Sequence, residues 1–169
     1  MNTDTLMENL LEYLKKMSTV IVRNEFKYNN FEDFVFKNGV PFKEMSSDKV
    51  RMGQQGNCFM NAARLSQNRK YTYCEGYCAV SDVPIPILHA WVIDEQHKVV
   101  ENTLRISNNA IAVYYGVVFS GLYLATTISQ RRYFGLIDNM EMKYPLITGE
   151  HTDFKDEKFY EEYLNGGSR

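Results

Sequence analysis

Apolar residues recur every third or fourth position in some stretches of the chain and every second position in others. Leu6, Leu10, Leu14 and Met17 share one helical face, and Thr5 and Glu8 stand at capping-box spacing, so residues 5–22 are predicted to form a helix. Phe31, Phe34 and Val35 repeat at similar spacing from Asn30 to Lys37, and Gly39 in "KNGV" closes a second, shorter helix. Residues 1–39 thus read as a helical N-terminal region. Residues 40–56 carry Pro41, serines and glycines and predict an irregular approach to Cys58. From Asn57 to about Gln67, Cys58, Met60, Ala62, Ala63 and Leu65 predict a helix with a polar start and a largely buried body.

The period then shortens. "KYTYCEGYCAV", "ILHAWVID" and "KVVENTL" are rich in Tyr, Val and Ile and predict antiparallel strands, with "SDVPIP" joining the first two and "EQHK" forming a tight turn before the third. "AIAVYYGVVF" predicts a further strand. "LYLATTISQRR" and "DEKFYEEYLN" predict helices, the second before a loose "GGSR" end. No repeat, low-complexity block or linker divides the chain, so residues 1–169 read as one α+β domain with extra N- and C-terminal helices.

Composition narrows the partners more than the fold. With 44% hydrophobic and 14% aromatic residues in 169, the chain is expected to be a packed globular domain. A net charge of −2 gives no general attraction to nucleic acid or anionic membrane, and neither is expected as a partner. "MNTDTLMENLLEYLKK" lacks the basic start and apolar run of a secretory signal, and no segment is apolar enough to span a bilayer, so a cytoplasmic location is expected. Three cysteines, at 58, 74 and 78, suit a reducing compartment better than a disulfide scaffold. Cys74 and Cys78 lack a second Cys or His pair nearby, so neither a metal nor another cofactor is expected.

The order of elements carries candidate chemistry. Cys58 opens a helix, where unpaired amides and the macrodipole stabilise a thiolate. Of the three histidines, His97 falls in a turn and His151 in a polar stretch, which leaves His89, anchored in "LHAWVID", to act as base and later as acid. A lone strand histidine is more often structural; the upstream cysteine and the downstream Glu101 and Asn102 shift that balance. If Ile93 pairs with His97, His89 falls opposite Glu101; if Ile93 pairs with Lys98, it falls opposite Asn102. The sequence leaves both registers open. The Cys58 N–H and the amides of Gln54 or Gln55 are candidate oxyanion donors. Tyr73, Glu75 and Tyr77 alternate on one strand face and, with Tyr114 and Tyr115, are candidates to line a substrate site. An acidic Glu75 at the entrance favours amine-bearing substrates.

At these residues the sequence resembles the transglutaminase-like branch of the papain-like cysteine enzymes. The shared pieces are "GNCFMNA", "HAWVID" and "VVENT", over roughly residues 53–119. The flanks "YCEGY" and "YYGVVF" are also similar to small bacterial and phage proteins of this kind. The resemblance implies a nucleophile helix packed on an antiparallel sheet, with Cys58 as nucleophile, His89 as base and Glu101 where aspartate is usual. Asn102 stands where proline is usual. It also implies acyl transfer on the amide of a protein or peptide, as peptidase, deamidase or transglutaminase. "QGNC" is similar to the "DGNC" of OTU-type deubiquitinating proteases, whose histidine lies late in the chain. The rival expectation is a non-catalytic protein-binding or inhibitory module that keeps the fold and tolerates loss of Cys58.

Overall fold

The structure, a computed structural model, describes residues 2–22, 24–129 and 134–166. Helix α1, Thr3–Met17, starts before Thr5 because Asn2 is its N-cap, the side chain accepting from the Thr5 N–H at 2.8 Å. It ends well short of residue 22. The β-branched run Thr19–Val22 follows Ser18 as exposed, non-helical chain. Helix α2, Phe31–Asn38, is capped by the Asn30 side chain on the Asp33 N–H and stops at Gly39. Next comes a strand where irregular chain was expected, β1, Val40–Phe42, too short to show alternation.

Helix α3 spans Cys58–Leu65, followed by β2, Thr72–Val80, β3, Ile87–Ile93, β4, Val99–Val100, and β5, Ala112–Val118. Three helices complete the chain: α4, Gly121–Ser129, the one-turn α5, Pro145–Thr148, and α6, Glu157–Gly166. The rest of the helix expected over "LYLATTISQRR", residues 130–132, lies outside the described residues, as does the end of "GGSR". No helix among the described residues is long and apolar enough to cross a membrane.

The strands form one antiparallel, curled sheet in the order β1-β5-β2-β3-β4. Side chains alternate between its faces. Tyr73, Glu75, Tyr77, Ala90, Val92, Val113 and Val117 point to one face, against α1, α2 and α3. Cys74, Cys78, Trp91, Ile93, Tyr114 and Val118 point to the other, where Phe159 of α6 covers them. Both faces are therefore core, which is why β2 is buried from Tyr73 to Val80. Gly76 and Gly116 meet across β2 and β5, and a Cβ at Gly116 would stand 2.5 Å from the Trp91 ring. Gly116 thus makes room for the indole, which packs on Phe42 and Tyr114 and stacks beside His89.

Candidate active site

Cys58 is the first residue of α3. The turn before it is closed by a bond from the Asn57 N–H to the Gln54 carbonyl at 3.2 Å, with Gly56 at φ +82°, as the third position of a type II turn requires. Asn57 makes no side-chain cap, and the first bond within the helix runs from the Asn61 N–H to the Asn57 carbonyl. The amides of the first turn therefore receive no capping side chain from Asn57. Gln54 and Gln55 are exposed on this turn, and Cys58 is half-buried.

His89 is brought to Cys58 by packing of α3 on β3. Strand β4 pairs only Val92 and Ile93, so β3 from Ile87 to Trp91 has no strand on its outer side. The Cys58 thiol sits there beside the His89 side chain and favours a proton on the imidazole. His89 Nε2 lies 2.8 Å from Glu101 Oε2, so Nδ1 is the ring nitrogen left for the thiol. Both members of the second pair are buried, at 2% and 5% side-chain exposure.

Neither register expected for the β3–β4 hairpin occurs. Ile93 pairs with Val99 and Val92 with Val100. The turn is a three-residue one, Glu95–His97, with the His97 N–H on the Asp94 carbonyl and His97 at φ +60°. The Asp94 carboxylate fixes it by accepting from the Gln96 and Lys98 N–H groups, both at 2.9 Å. Continued past β4, this register sets Glu101 across from Trp91, on the His89 face and one diagonal step away. Asn102 falls on the opposite face, and its amide donates to the Asn61 carbonyl at 3.1 Å instead of meeting the imidazole.

Glu101 is saturated with donors. Oε1 accepts from the N–H groups of Thr103 and Leu104 at 2.7 and 2.9 Å, and Oε2 also accepts from the Tyr114 hydroxyl at 3.0 Å. Burial works against its charge, but His89 and the two amides outweigh it and hold the carboxyl below the ordinary range. Burial likewise opposes charge on His89, yet its bonds to Cys58 and Glu101 take it up to about 9. Acid, imidazole and thiol thus stand in that order, the first two hydrogen-bonded and the third coupled to the imidazole.

A second polar group fastens the acid to the helix. Buried Asn61 donates to the Gln54 carbonyl at 2.8 Å and to Thr103 Oγ1 at 2.9 Å, while the Asn102 carbonyl accepts from the Gly53 N–H at 2.7 Å. Asn61 and Thr103 escaped the sequence reading. The signal for Asn61 was a lone amide inside the apolar run "CFMNAARL".

The tyrosine-rich face lies under α3, and Tyr73 on it is within electrostatic reach of Cys58, but it is not the face that bears His89. Gly76 is the β2 residue paired with His89, so Glu75 and Tyr77 point to the opposite face, as does Tyr115, which pairs with Tyr77. Tyr77 packs against Tyr13 of α1, and the Tyr115 hydroxyl donates to the Phe36 carbonyl of α2 at 3.3 Å. Glu75 has no exposed surface and is not an entrance residue. Its carboxylate accepts from the Leu136 and Ile137 N–H groups at 2.6 and 3.0 Å and from the Tyr73 hydroxyl. Tyr114 is buried behind Glu101, not in a substrate channel. Three free cysteines are present, and among the described residues no cluster of His, Cys, Asp and Glu is arranged to hold a metal.

No family model, curated protein or solved structure matches this chain.

Proposed function

We propose that the protein is a cysteine-dependent acyl-transfer enzyme acting on an amide, with a papain-like, transglutaminase-like arrangement of helix and sheet. The observation that carries this reading is the placing of Cys58, at a helix start, beside the hydrogen-bonded His89–Glu101 pair. Glu101 holds the imidazole by Nε2 and stabilises it as imidazolium, which favours transfer of the thiol proton to Nδ1. The Cys58 sulfur then attacks the amide carbonyl, and the oxyanion forms beside the first-turn amides of α3, with Gln54 and Gln55 on the adjoining turn. His89 returns its proton to the leaving nitrogen as the C–N bond breaks, which leaves a thioester on Cys58. Water completes hydrolysis, as in a peptidase or deamidase; an amine completes cross-linking. The three free thiols fit a reducing, cytoplasmic setting.

Hydroxylamine interception tests the reading. The protein is incubated with a mixture of glutamine-containing peptides in hydroxylamine, and hydroxamates are sought by mass spectrometry. The expected result is hydroxamate at main-chain or side-chain carbonyls with the wild type and none with Cys58→Ala. A folded wild type that yields none sinks the acyl-transfer reading in favour of a binding module.

A further inference from the structure

The charge distribution around Cys58 differs from that of the chain as a whole. Residues 49–74 contain five basic residues and no acidic one, in a protein of net charge −2. Lys70 is neutralised by Asp48 at 2.9 Å. Arg51 and Arg64 are exposed, and neither has an acidic partner among the described residues. Both border one cavity of about 510 Å³, a size that suits a ligand.

The cavity opens beside the turn that precedes the candidate nucleophile, although Cys58, His89 and Glu101 do not line it. Its wall includes Gly53 and Gln54, from the turn that leads into Cys58, and Met60, two residues beyond it. Arg64 lies one helical turn past Met60 on the same side of α3. Met52, Met60 and Leu65 add apolar surface to the same cavity, and the buried Asn61 and Asn102 also line it. The site thus presents two unpaired forks for carboxylates around an apolar patch. With Glu75 inside the core, no acidic residue among the described residues lines this cavity.

We propose that this cavity seats an acidic peptide segment, with Asp or Glu carboxylates on Arg51 and Arg64 and an apolar side chain on Met52, Met60 and Leu65. It rests on the acyl-transfer reading: substrates are peptides whose reacting amide is flanked by acidic residues. The surrounding positive field steers such segments towards Cys58 and works against lysine-rich ones.

Two fluorescein-labelled peptides of equal length, built from Gly-Leu-Glu or Gly-Leu-Lys repeats, test this by fluorescence anisotropy with the full chain. The acidic peptide is expected to bind more tightly, less so as salt rises. In the double variant Arg51→Glu/Arg64→Glu its affinity is expected to fall about tenfold, with the preference moving to the lysine peptide. Equal binding of the two peptides, or an unchanged affinity in the variant, overturns the proposal. A labelled single-stranded oligothymidylate that outcompetes the acidic peptide overturns it too, and makes the patch a nucleic-acid surface. Iodoacetamide alkylation of Cys58 in the same wild-type samples separates the two readings. A slow thiol with retained acidic selectivity removes acyl transfer and keeps the acidic-ligand site. A fast thiol without selectivity removes only the site.

Discussion

Glu101 and Glu75 are two buried carboxylates on opposite faces of one sheet, and their surroundings push them in opposite directions. Glu101 faces His89 and collects four donors, which hold it below the ordinary carboxylate range despite burial. Glu75 has three donors, Tyr73, Leu136 and Ile137, but no cation beside it among the described residues, and burial dominates and raises it to about 7. A countercharge, more than the number of hydrogen bonds, decides whether the buried acid stays ionised. The consequence is a division of labour, with one acid tied to the candidate chemistry and the other clamping the 134–137 segment to the sheet.

The comparison breaks most visibly at Glu75. Glu75→Ala leaves two amides and a tyrosine hydroxyl without their acceptor and opens a cavity, which costs about 4 kcal/mol. Urea unfolding checks this, and a loss below about 1 kcal/mol contradicts the clamp. The pH dependence is the next largest effect. Glu75 binds its proton more tightly folded than unfolded, so its contribution is fully present below the ordinary Glu range and is lost as pH rises through about 7. The span from about 4.5 to 7 corresponds to about 3 kcal/mol, and Glu75→Gln is expected to flatten that limb in unfolding measured across pH. Glu101 behaves in reverse: its contribution is present above the ordinary range and is lost as pH falls through its lowered folded value. Glu101→Gln is therefore expected to flatten the acid limb only.

Smaller effects sharpen the role of Glu101. Without its charge the imidazolium loses support, and alkylation of Cys58 by iodoacetamide at pH 6 is expected to fall about tenfold in Glu101→Gln. Tyr114→Phe removes one of the four donors and is expected to cost about 1 kcal/mol of stability by urea unfolding. A Tyr114→Phe loss as large as that of Glu75→Ala shows that the hydroxyl organises more than the acid.

How much of this was legible in the sequence follows the range of each interaction. Runs of seven or more residues with a helical repeat or a strand-like or helix-like composition marked α1, α2, α3, β2, β3 and β5, because elements of that length leave a local trace. β1 and α5, of three and four residues, are too short for a period to emerge and exist through tertiary pairing and packing. The order cysteine, histidine, acid was readable, since it depends on residue type along the chain. The register was not: the Asp94 side chain, by capping its own turn, set the hairpin one step past the Ile93–Lys98 register and two past the Ile93–His97 one. The face occupied by Glu75 and Tyr77 was equally unreadable, since alternation shows that they share a face but not which one. Asn61 and Thr103 join segments 42 residues apart, a contact with no local trace beyond a polar residue among apolar ones.

The proposal that His89 keeps Cys58 in a reactive state is tested by the pH profile of iodoacetamide alkylation at each cysteine, read by peptide mass spectrometry. An ordinary thiol, with a pKa near ~8.5, is about one per cent thiolate at pH ~6.5. Cys58 is expected to react there markedly faster in the wild type than in His89→Ala, while buried Cys74 and Cys78 stay slow in both. A Cys58 rate that rises only in the ordinary thiol range and ignores the loss of His89 contradicts it.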